Sequence, residues 1–586
     1  MPEYHAPLTD FTFLLEDWLS LNEHYKQLGL QDFDADLVSE VIAQGSKFAQ
    51  DVVAPLNRPG DETGCTLTDG QVVTPPGFAE AYQDYVANGW NAMLGPEQYG
   101  GQGLPYTMAV PIHEMLNSAN LSWRLTTMLT ESAVLAVNRH ASDHLKETYL
   151  PKLVSGEWTG TMNLTEPQAG TDLALLATKA VPKDDGSYAI SGSKIFITAG
   201  DQNWTSNIIH LVLARLPDAP AGVKGISLFL VPKYLLDEHG EPAQANTLSV
   251  GSIEHKMGIK ASPTCVMNFD NATGWLIGEP HQGLACMFTM MNDARFQVGI
   301  QGLGAAQAAF QGALDYATER LQSRAPQGAV QPQSKADPIV YQPDVARMLL
   351  TQQSLTEGCR ALSLLYAKHM DIAHFGNDEN QQKAQSLLQF LTPICKAFFT
   401  DIGLESSSLG IQVFGGHGYI REWGMEQLMR DVRITLLYEG TNGIQAGDLI
   451  GRKLVRDKGE KMKVTFSVFA DIIAAIKDPT AQASAQGVLD NWHDASLACL
   501  DMSATEMAAA AYDYLSFTAY SLLSVCWTSM ADVAAQTGNA KLAASKKQCA
   551  DFFNTRLLPR ADAHLKAMTS DCSTLQAFSH TQLNNG

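Results

Sequence analysis

One carboxylate in this sequence stands where it could act as a base. Glu439 lies between an apolar approach that includes Leu436 and Leu437 and a small-residue turn, Gly440-Thr441. Because glycine lets another molecule come close to the backbone, this arrangement could aim a base at a bound ligand. The alternative is a helix that ends in an exposed acidic turn, and the stretch 427–445 alone favours neither.

A second group of residues could hold a polar planar ring and a phosphate. Thr165 and Thr171 supply hydroxyls, Pro167 fixes a turn, and Gly170 admits close approach of a ligand. The segment 194–198, Lys-Ile-Phe-Ile-Thr, adds an aromatic residue and a hydroxyl that could flank a flavin ring. An ordinary β-turn explains most of the first group, but it explains less well the grouping with the second.

Two further patterns indicate packing rather than chemistry. The triplet Gly302-Leu303-Gly304 lies within a helical pattern and lacks the third glycine and the preceding strand of a dinucleotide fingerprint, so helix packing is its expected role. His417 stands beside a double glycine and is expected to pack within its loop.

Composition limits the class of the protein. The chain has 586 residues, of which 45 % are hydrophobic and 17 % charged, so several domains with sizeable cores are expected. A formal charge of -22 argues against a nucleic-acid binder, which needs a basic surface. Nine widely spaced cysteines and the absence of a visible export signal favour a cytoplasmic protein.

The elements that must position these residues change type along the chain. Periodicity and turn residues predict five segments: an N-terminal extension (1–45), a helical domain (46–157), a β domain (158–280), a helical bundle that carries Glu439 (281–455) and an extra helical domain (464–586). A Pro/Gln/Gly-rich stretch over 325–338 predicts an ordered surface excursion. The most apolar window, 508–535, is interrupted by polar residues and predicts a buried helix. Ser503 and Glu506 have the spacing of a capping box.

Together, these motifs resemble the acyl-CoA dehydrogenase family. The matching segments occur in the family's order over 46–455: Thr165-Glu166-Pro167, Phe196-Ile197-Thr198, Gln-Val-Phe-Gly-Gly-His-Gly-Tyr at 412–419, Leu428-Met429-Arg430-Asp431 and Tyr438-Glu439-Gly440-Thr441. The resemblance implies an α+β multidomain fold with an N-terminal helical domain, a middle β-barrel domain and a C-terminal four-helix bundle. The extension and the additional C-terminal helical domain resemble the longer members, among them those that act on a methylthio-propionyl thioester.

The resemblance implies an FAD-dependent enzyme that converts an acyl-CoA thioester to the trans-2-enoyl-CoA. Glu439 matches the family's base, which removes the α proton while the β hydride passes to flavin N5. Some members carry the base on an earlier helix, but the matching residue here is Ala294, which cannot serve. Asp293 is one position away, about 100° round the helix. Glu439 is therefore the only candidate base that both the local pattern and the resemblance support.

Further site residues follow from the resemblance position by position. The expected cofactor contacts are Met162, Leu164, Thr165, Gly170, Thr171, Phe196, Ile197, Thr198, Arg324, Gln412, Gly415, Gly416 and Thr441. The expected substrate contacts are Thr171, Arg295 and Gly440, and no metal is expected.

The sequence departs from the family pattern at several of these positions. Phe196 stands where many relatives have Trp, so an aromatic face is kept. Arg324 matches the arginine that reaches the flavin pyrophosphate of a neighbouring subunit, but the following Ala-Pro-Gln replaces the usual Lys-Thr-Phe, and a surface arginine is the alternative. Gly443 replaces a glutamine, which predicts the loss of one polar contact. Arg295 could instead only brace its helix.

The resemblance also implies partners. They are the acyl-CoA substrate, electron-transferring flavoprotein as electron acceptor and a second copy of the chain in a homodimer. The acyl group is expected to be 3-(methylthio)propanoyl or a short or medium fatty acyl chain. An acyl-CoA oxidase that uses oxygen and a non-enzymatic flavin-binding stress-response protein are the alternatives, and an intact Glu439 weighs against the second. Membrane association through the basic linker 452–463 is disfavoured by the overall charge.

Overall fold

The computed structural model describes residues 3–584 and, among these, the side chains up to residue 578. The chain divides into two compact units, neither of which is one continuous stretch. Unit 1 comprises 1–46, 106–118 and 298–586, and unit 2 comprises 47–105 and 119–297.

Helices make up most of unit 1 and accompany the strands of unit 2. In chain order, the α-helices are α1 (Leu8–Thr12), α2 (Leu21–Leu28), α3 (Ala35–Phe48), α4 (Asn57–Thr63), α5 (Phe78–Ala87), α6 (Tyr106–Ala119), α7 (Leu121–His140), α8 (Asp143–Val154), α9 (Gly283–Glu319), α10 (Pro343–Phe375), α11 (Asp378–Phe414), α12 (Met425–Val432), α13 (Asn442–Gly447), α14 (Glu460–Ala474), α15 (Pro479–Ala498), α16 (Ala504–Ala534), α17 (Ala540–Phe552), α18 (Pro559–Met568) and α19 (Ser573–Asn584). A 3-10 segment, Arg433–Leu436, leads from α12 toward Glu439.

Unit 2 contains a closed β-barrel. The strands are β1 (Thr66–Thr68), β2 (Gln71–Val73), β3 (Trp158–Asn163), β4 (Lys179–Pro182), β5 (Tyr188–Thr198), β6 (Asn207–Arg215), β7 (Ile226–Pro232), β8 (Tyr234–Leu236), β9 (Pro242–Ala245), β10 (Leu248–Ile253) and β11 (Thr264–Ile277). β5 pairs with β4, β4 with β6, β6 with β7, β7 with β11, and β11 again with β5, which closes the ring. β10 and β3 extend it at β11 and β6. The predicted middle barrel is confirmed.

Alternate residues of these strands fill the barrel interior. Val212 and Ala214 on β6 and Phe229 and Val231 on β7 are fully buried, together with Met267 on β11. Residues two apart on a strand point to the same face, so the apolar side chains of each strand enter one core. This core, which includes Ile190 and Ile197, fixes which residues of β5 point inward.

The predicted helical domain 46–157 also contains two short strands. Strands β1 and β2 form an antiparallel hairpin joined by Asp69-Gly70, and both turn residues have positive φ. An Asp-Gly pair between two short apolar runs is the usual sequence of such a two-residue turn. The local signal was therefore present, although the helical periodicity around it was stronger.

The long helices α9, α10 and α11 form the bundle of unit 1. A Cβ placed on Gly302 would lie 2.4 Å from the carbonyl oxygen of Phe399 on α11, and one placed on Gly299 would lie 2.6 Å from that of Cys395. Only glycine permits this approach of two helix backbones. The packing role predicted for the Gly302-Leu303-Gly304 triplet is confirmed.

The N-terminal extension joins the bundle to the C-terminal helices within unit 1. Arg360 of α10 donates to Glu114 at 2.5 Å and to Asp10 at 2.6 Å. Asp10 also accepts from Lys546 of α17. Because all four groups are largely buried, each charge needs its partners, and removal of one would leave others unpaired.

The last segment of the described chain is helical, as predicted. α16 is buried over most of its length, and Ser503 and Glu506 form the expected capping box at its start. Among the described residues, one helix, Asp378–Tyr419, is long and apolar enough to cross a membrane. Because 78 % of its most apolar window is buried, a core helix of the bundle satisfies the same criterion.

Candidate active site

Glu439 lies in a strained turn of unit 1, which we call the base turn (438–441). Its φ is +55°, and Gly440 follows with a φ of +84°. The left-handed region costs a non-glycine residue about 1–2 kcal/mol, so the surrounding structure must hold Glu439 there. Such strain is concentrated at functional sites. The glutamate is half-buried rather than fully exposed.

Two buried side chains hold the backbone of the base turn. The Gln445 side-chain amide of α13 donates to the carbonyl oxygen of Glu439 at 2.9 Å. The Lys396 ammonium of α11 donates to the carbonyl oxygen of Gly440 at 2.8 Å. Both donors are fully shielded from solvent, so these bonds do not compete with water. The two successive peptide groups that follow the left-handed glutamate are therefore fixed.

The neighbours of Glu439 are anchored as well. The Tyr438 hydroxyl donates to the side-chain oxygen of Gln301 on α9. Burial, with the nearby carboxylate of Glu439, raises the pKa of Tyr438, so this phenol is neutral. The Thr441 hydroxyl accepts from the Ile444 N–H at 3.3 Å and caps α13. Thr441 is therefore the N-cap of α13, and its contact with a cofactor stays a prediction.

In unit 2, the turn after β3 is tied to strand β5 by a buried ion pair. The Lys194 ammonium donates to Glu166 at 2.8 Å and to the carbonyl oxygen of Leu164 at 3.0 Å. The Glu166 carboxylate also accepts from the Thr178 hydroxyl and from the Ala177 N–H. These bonds place residues 162–171 beside residues 194–198, and we call the two segments the cradle. The grouping predicted from sequence is therefore a real juxtaposition.

Phe196 presents its ring to solvent from the cradle. Two residues of β5 oppose one residue of β11 at this point, which is a β-bulge, and Phe196 has a φ of +61°. Its side chain is 58 % exposed, whereas Ile197 points into the barrel core. The predicted contact of Ile197 with a cofactor can therefore come only from its backbone.

The rest of the cradle is polar and open. Thr165 and Thr198 are half-buried, as are Met162 and Leu164, and Thr171 is exposed. A Cβ on Gly170 would meet no atom within 4 Å, so this side of the cradle has room for a bound group. An exposed aromatic face beside hydroxyl donors suits a flavin, whose ring stacks on one and hydrogen-bonds to the other.

The residues predicted to reach a partner's cofactor lie elsewhere in unit 1. Gln412, Gly415 and Gly416 are exposed at the end of α11. The Arg324 guanidinium donates to the Gln331 carbonyl oxygen at 3.1 Å and to the Asp337 carboxylate at 3.3 Å. This arginine helps to order its own loop, as expected for the predicted surface excursion.

His417 and Arg295 have local partners. Nδ1 of His417 lies 2.9 Å from the Tyr316 hydroxyl, and its ring stacks on Trp423 at 4.2 Å, which is the packing role predicted for it. Arg295 is largely buried and lies over the Phe288 ring, so bracing of α9 accounts for part of its environment.

A charged cluster in unit 2 was not predicted. The Asp293 carboxylate accepts from Ser132 of α7 at 2.6 Å, and Arg124 of the same helix binds Glu131 through two hydrogen bonds. Arg124 and Glu131 are seven residues apart, two turns along one helix face, which is the signal that could have indicated the pair. Burial raises the pKa of Asp293 to about 6 despite the hydrogen bond from Ser132.

We expect Asp293→Asn to stabilise the protein in a pH-dependent way. A carboxyl whose folded pKa of about 6 exceeds its ordinary value binds protons more tightly when folded, so stability falls as pH rises from about 4 to about 6. Asparagine removes this penalty and can still accept from Ser132. The expected gain is about 1–2 kcal/mol at pH 8 and none at pH 4.

Thermal unfolding of wild type and variant at both pH values measures this gain. Asp270→Asn is the matched control, because Asp270 is an exposed aspartate of the same unit. A gain of equal size at both pH values, or a lower midpoint for Asp293→Asn at pH 8, would contradict the assignment.

The chain resembles known proteins over most of its length. Residues 39–157, 161–272 and 281–454 match the N-terminal, middle and C-terminal domains of acyl-CoA dehydrogenase, and residues 468–579 match a domain described as acetyl-CoA dehydrogenase C-terminal like. A 3-methylmercaptopropionyl-CoA dehydrogenase of Ruegeria pomeroyi is 46 % identical over 82 % of this chain and 81 % of its own. A butyryl-CoA dehydrogenase of Syntrophomonas wolfei is 38 % identical over 81 % and 80 %. An acyl-CoA dehydrogenase from Bacillus anthracis, solved in complex with FAD, has the same fold, with a TM-score of 0.71, 20 % identity and coverage of 94 % and 91 %.

Proposed function

This chain belongs to the acyl-CoA dehydrogenase family, and from that premise we propose that Glu439 is the base of an FAD-dependent α,β-dehydrogenation of an acyl-CoA. The observation that carries the proposal is the base turn, where a glutamate keeps a left-handed backbone because α13 and α11 fix its own carbonyl group and that of Gly440. A conformation that costs free energy and is held by buried hydrogen bonds is typical of a group that must be aimed.

In the proposed reaction Glu439 removes the α proton of the thioester. The electron pair of that C–H bond forms the α,β double bond, and the β hydrogen departs as hydride. FAD, when bound, supplies the acceptor for that hydride. The backbone N–H of Glu439 donates to the thioester carbonyl, and this bond strengthens as negative charge develops on the oxygen. Gly440 is proposed to contact the thioester through its backbone, and its lack of a Cβ permits both its positive φ and the close approach of the Gln445 side chain.

The cradle residues are proposed to hold the cofactor. Phe196 offers its ring face to the flavin, and Thr165 and Thr198 offer hydroxyls. The remaining contacts proposed are Met162, Leu164, the backbone of Ile197, Gly170, Thr171 and Thr441. Thr171 and Arg295 are proposed to contact the CoA moiety as well. In a homodimer, Arg324, Gln412, Gly415 and Gly416 would serve the partner's cofactor, which their surface position allows.

We propose a short acyl chain, with 3-(methylthio)propanoyl-CoA as the leading candidate. The relative with 46 % identity is named for that thioester, and the relative with 38 % identity is named for butyryl-CoA. The two acyl groups are short and similar in shape. A pocket distinguishes such groups by only about 1–3 kcal/mol, so both are expected to react.

Anaerobic flavin reduction across graded acyl-CoAs tests this proposal. We expect the rate constant of flavin reduction divided by the acyl-CoA dissociation constant to be highest for butanoyl-, pentanoyl- or 3-(methylthio)propanoyl-CoA. This ratio should fall for octanoyl- and longer chains, because a pocket shaped for a short chain has no room for further methylenes. The methylthio and pentanoyl compounds should differ by no more than about 100-fold. A maximum at octanoyl-CoA or beyond would refute the short-chain assignment.

Electron-transferring flavoprotein is the proposed acceptor in the cytoplasm. Incubation of the enzyme with acyl-CoA under air, without another acceptor, distinguishes a dehydrogenase that needs this protein acceptor from an acyl-CoA oxidase. Formation of peroxide in proportion to enoyl-CoA would show that oxygen, and not a protein, is the electron acceptor. Turnover that depends on added electron-transferring flavoprotein would support the proposal.

A further inference from the structure

The C-terminal helical segment reaches the base turn through a chain of hydrogen bonds within unit 1. Tyr512 lies on α16, and its hydroxyl donates to Oδ2 of Asp401 on α11 at 2.8 Å. The other oxygen of the same carboxylate accepts from the side-chain amide of Asn442 at 2.8 Å. Asn442 is the first residue of α13, three positions after Glu439. One carboxylate therefore joins the C-terminal helices to the helix that follows the base.

The chain continues from Asn442 to the base turn itself. The amide oxygen of Asn442 accepts from the Lys396 ammonium at 2.9 Å, and the same ammonium donates to the carbonyl oxygen of Gly440. The amide nitrogen of Asn442 also reaches Thr400 and the carbonyl oxygen of Ala397. Asn442 thus uses its oxygen and its nitrogen on groups of α11, and its amide cannot rotate without breaking several bonds.

Burial makes this network stiff. Lys396 is fully buried, and Asn442 and Thr400 are nearly so. In such surroundings no water can replace a lost hydrogen-bond partner, so breaking one bond costs free energy. Each bond therefore limits the movement of the groups that make the others. Tyr512 stands at the outer end, and its own residue is partly exposed. Removal of its hydroxyl therefore changes the network at the end where the structure tolerates change best.

We propose that the additional C-terminal domain positions the catalytic base, with Tyr512 and Asp401 as positioning residues that act through Asn442 and Lys396. The inference rests on the proposed role of Glu439. A base must be held within a fraction of an ångström of its reactive position, and the strained turn that carries Glu439 needs external contacts to stay there. The C-terminal domain would then do more than cover the bundle.

Tyr512→Phe, compared with Tyr514→Phe, tests the proposal. Tyr514 lies on the same helix, but its hydroxyl bonds to Ser496 of α15 and has no bond to Asp401. We expect Tyr512→Phe to lower the rate constant of anaerobic flavin reduction at saturating acyl-CoA about 10-fold with an unchanged dissociation constant for substrate. Amide hydrogen exchange over 438–447 should become faster. Tyr514→Phe should leave both quantities as in wild type.

A double-mutant cycle shows the route. If Tyr512 acts through Asp401, adding Tyr512→Phe to Asp401→Ala should cause no further loss of rate. Should the Asp401 variant fail to fold, the exchange comparison of the two tyrosine variants still decides the matter. Identical rates and identical exchange in Tyr512→Phe and Tyr514→Phe would overturn the inference. Glu439→Gln separates the two proposals, since an active Glu439→Gln removes the base assignment, whereas an inactive one beside a normal Tyr512→Phe removes only the positioning role.

Discussion

Glu439→Gln is expected to bind FAD and acyl-CoA like wild type and to lose anaerobic flavin reduction. The rate constant should fall by at least about 100-fold and by up to about 10,000-fold, the range for removal of a general base. The amide has the shape of the carboxylate but no basic oxygen, so the α proton has no acceptor. The bond that Gln445 makes goes to the backbone of Glu439, so the substitution leaves the base turn in place.

Stopped-flow flavin absorbance after mixing with butanoyl-CoA measures this rate. Glu379→Gln provides the matched control, because Glu379 is an exposed glutamate on α11 that forms a surface ion pair with Lys383. The control should reduce its flavin at the wild-type rate. Flavin reduction by Glu439→Gln at the wild-type rate would refute the assignment of Glu439 as the base.

Lys194→Met is expected to cause the largest loss of stability among the changes considered, about 3–5 kcal/mol. Lys194 is fully buried, and so is most of Glu166. Although burial opposes ionisation of Glu166, the Lys194 ammonium and the hydrogen bonds from Thr178 and Ala177 lower the pKa of this carboxyl to about 2. Burial lowers the pKa of Lys194 to about 8 against the attraction of Glu166, so the pair is ionised at neutral pH. Methionine would leave a buried carboxylate without its cation.

The same change should weaken flavin retention, because the pair holds the two segments of the cradle together. Chemical unfolding and the flavin content of the purified protein measure the two effects. Lys183→Met, which removes an exposed lysine bonded to Thr273, is the control and should be near neutral. Adding Glu166→Gln to Lys194→Met removes the unpaired charge and should restore part of the stability. A Lys194→Met protein as stable as the control would show that the pair contributes little.

The pH dependence of the Glu166 contribution has a definite sign. Its folded pKa lies below its ordinary value, so the stabilisation is complete above about pH 4.5 and is lost as the pH falls toward 2. This is opposite to the behaviour expected for Asp293, whose folded pKa lies above its ordinary value. Acidification therefore removes the stabilisation that Glu166 provides but relieves the penalty of burying ionised Asp293. The difference arises because Glu166 is paired with the buried Lys194 ammonium, whereas burial dominates at Asp293.

The sequence predicted elements where local patterns suffice. The apolar window 508–535 and the capping box at Ser503 describe α16 correctly, because burial along a helix and a cap at its start depend on residues near in sequence. Short runs of β-branched residues with turn residues between them predicted the β domain. The Asp69-Gly70 hairpin has a local turn signal, but the helical pattern on both sides of it predicts a helical domain over the whole of 46–157.

By itself, the sequence indicated the order of helical and β segments through local periodicity, and its resemblance to the family implied the barrel and the candidate base. The tertiary structure alone decided that Phe196 turns outward, because the β-bulge at this residue arises from the pairing of β5 with β11. It alone placed Asp401 beside Tyr512, which is 111 residues away in the chain. Side-chain periodicity repeats within a few residues and carries no information about such distant partners, whose contacts arise only when separate elements pack together.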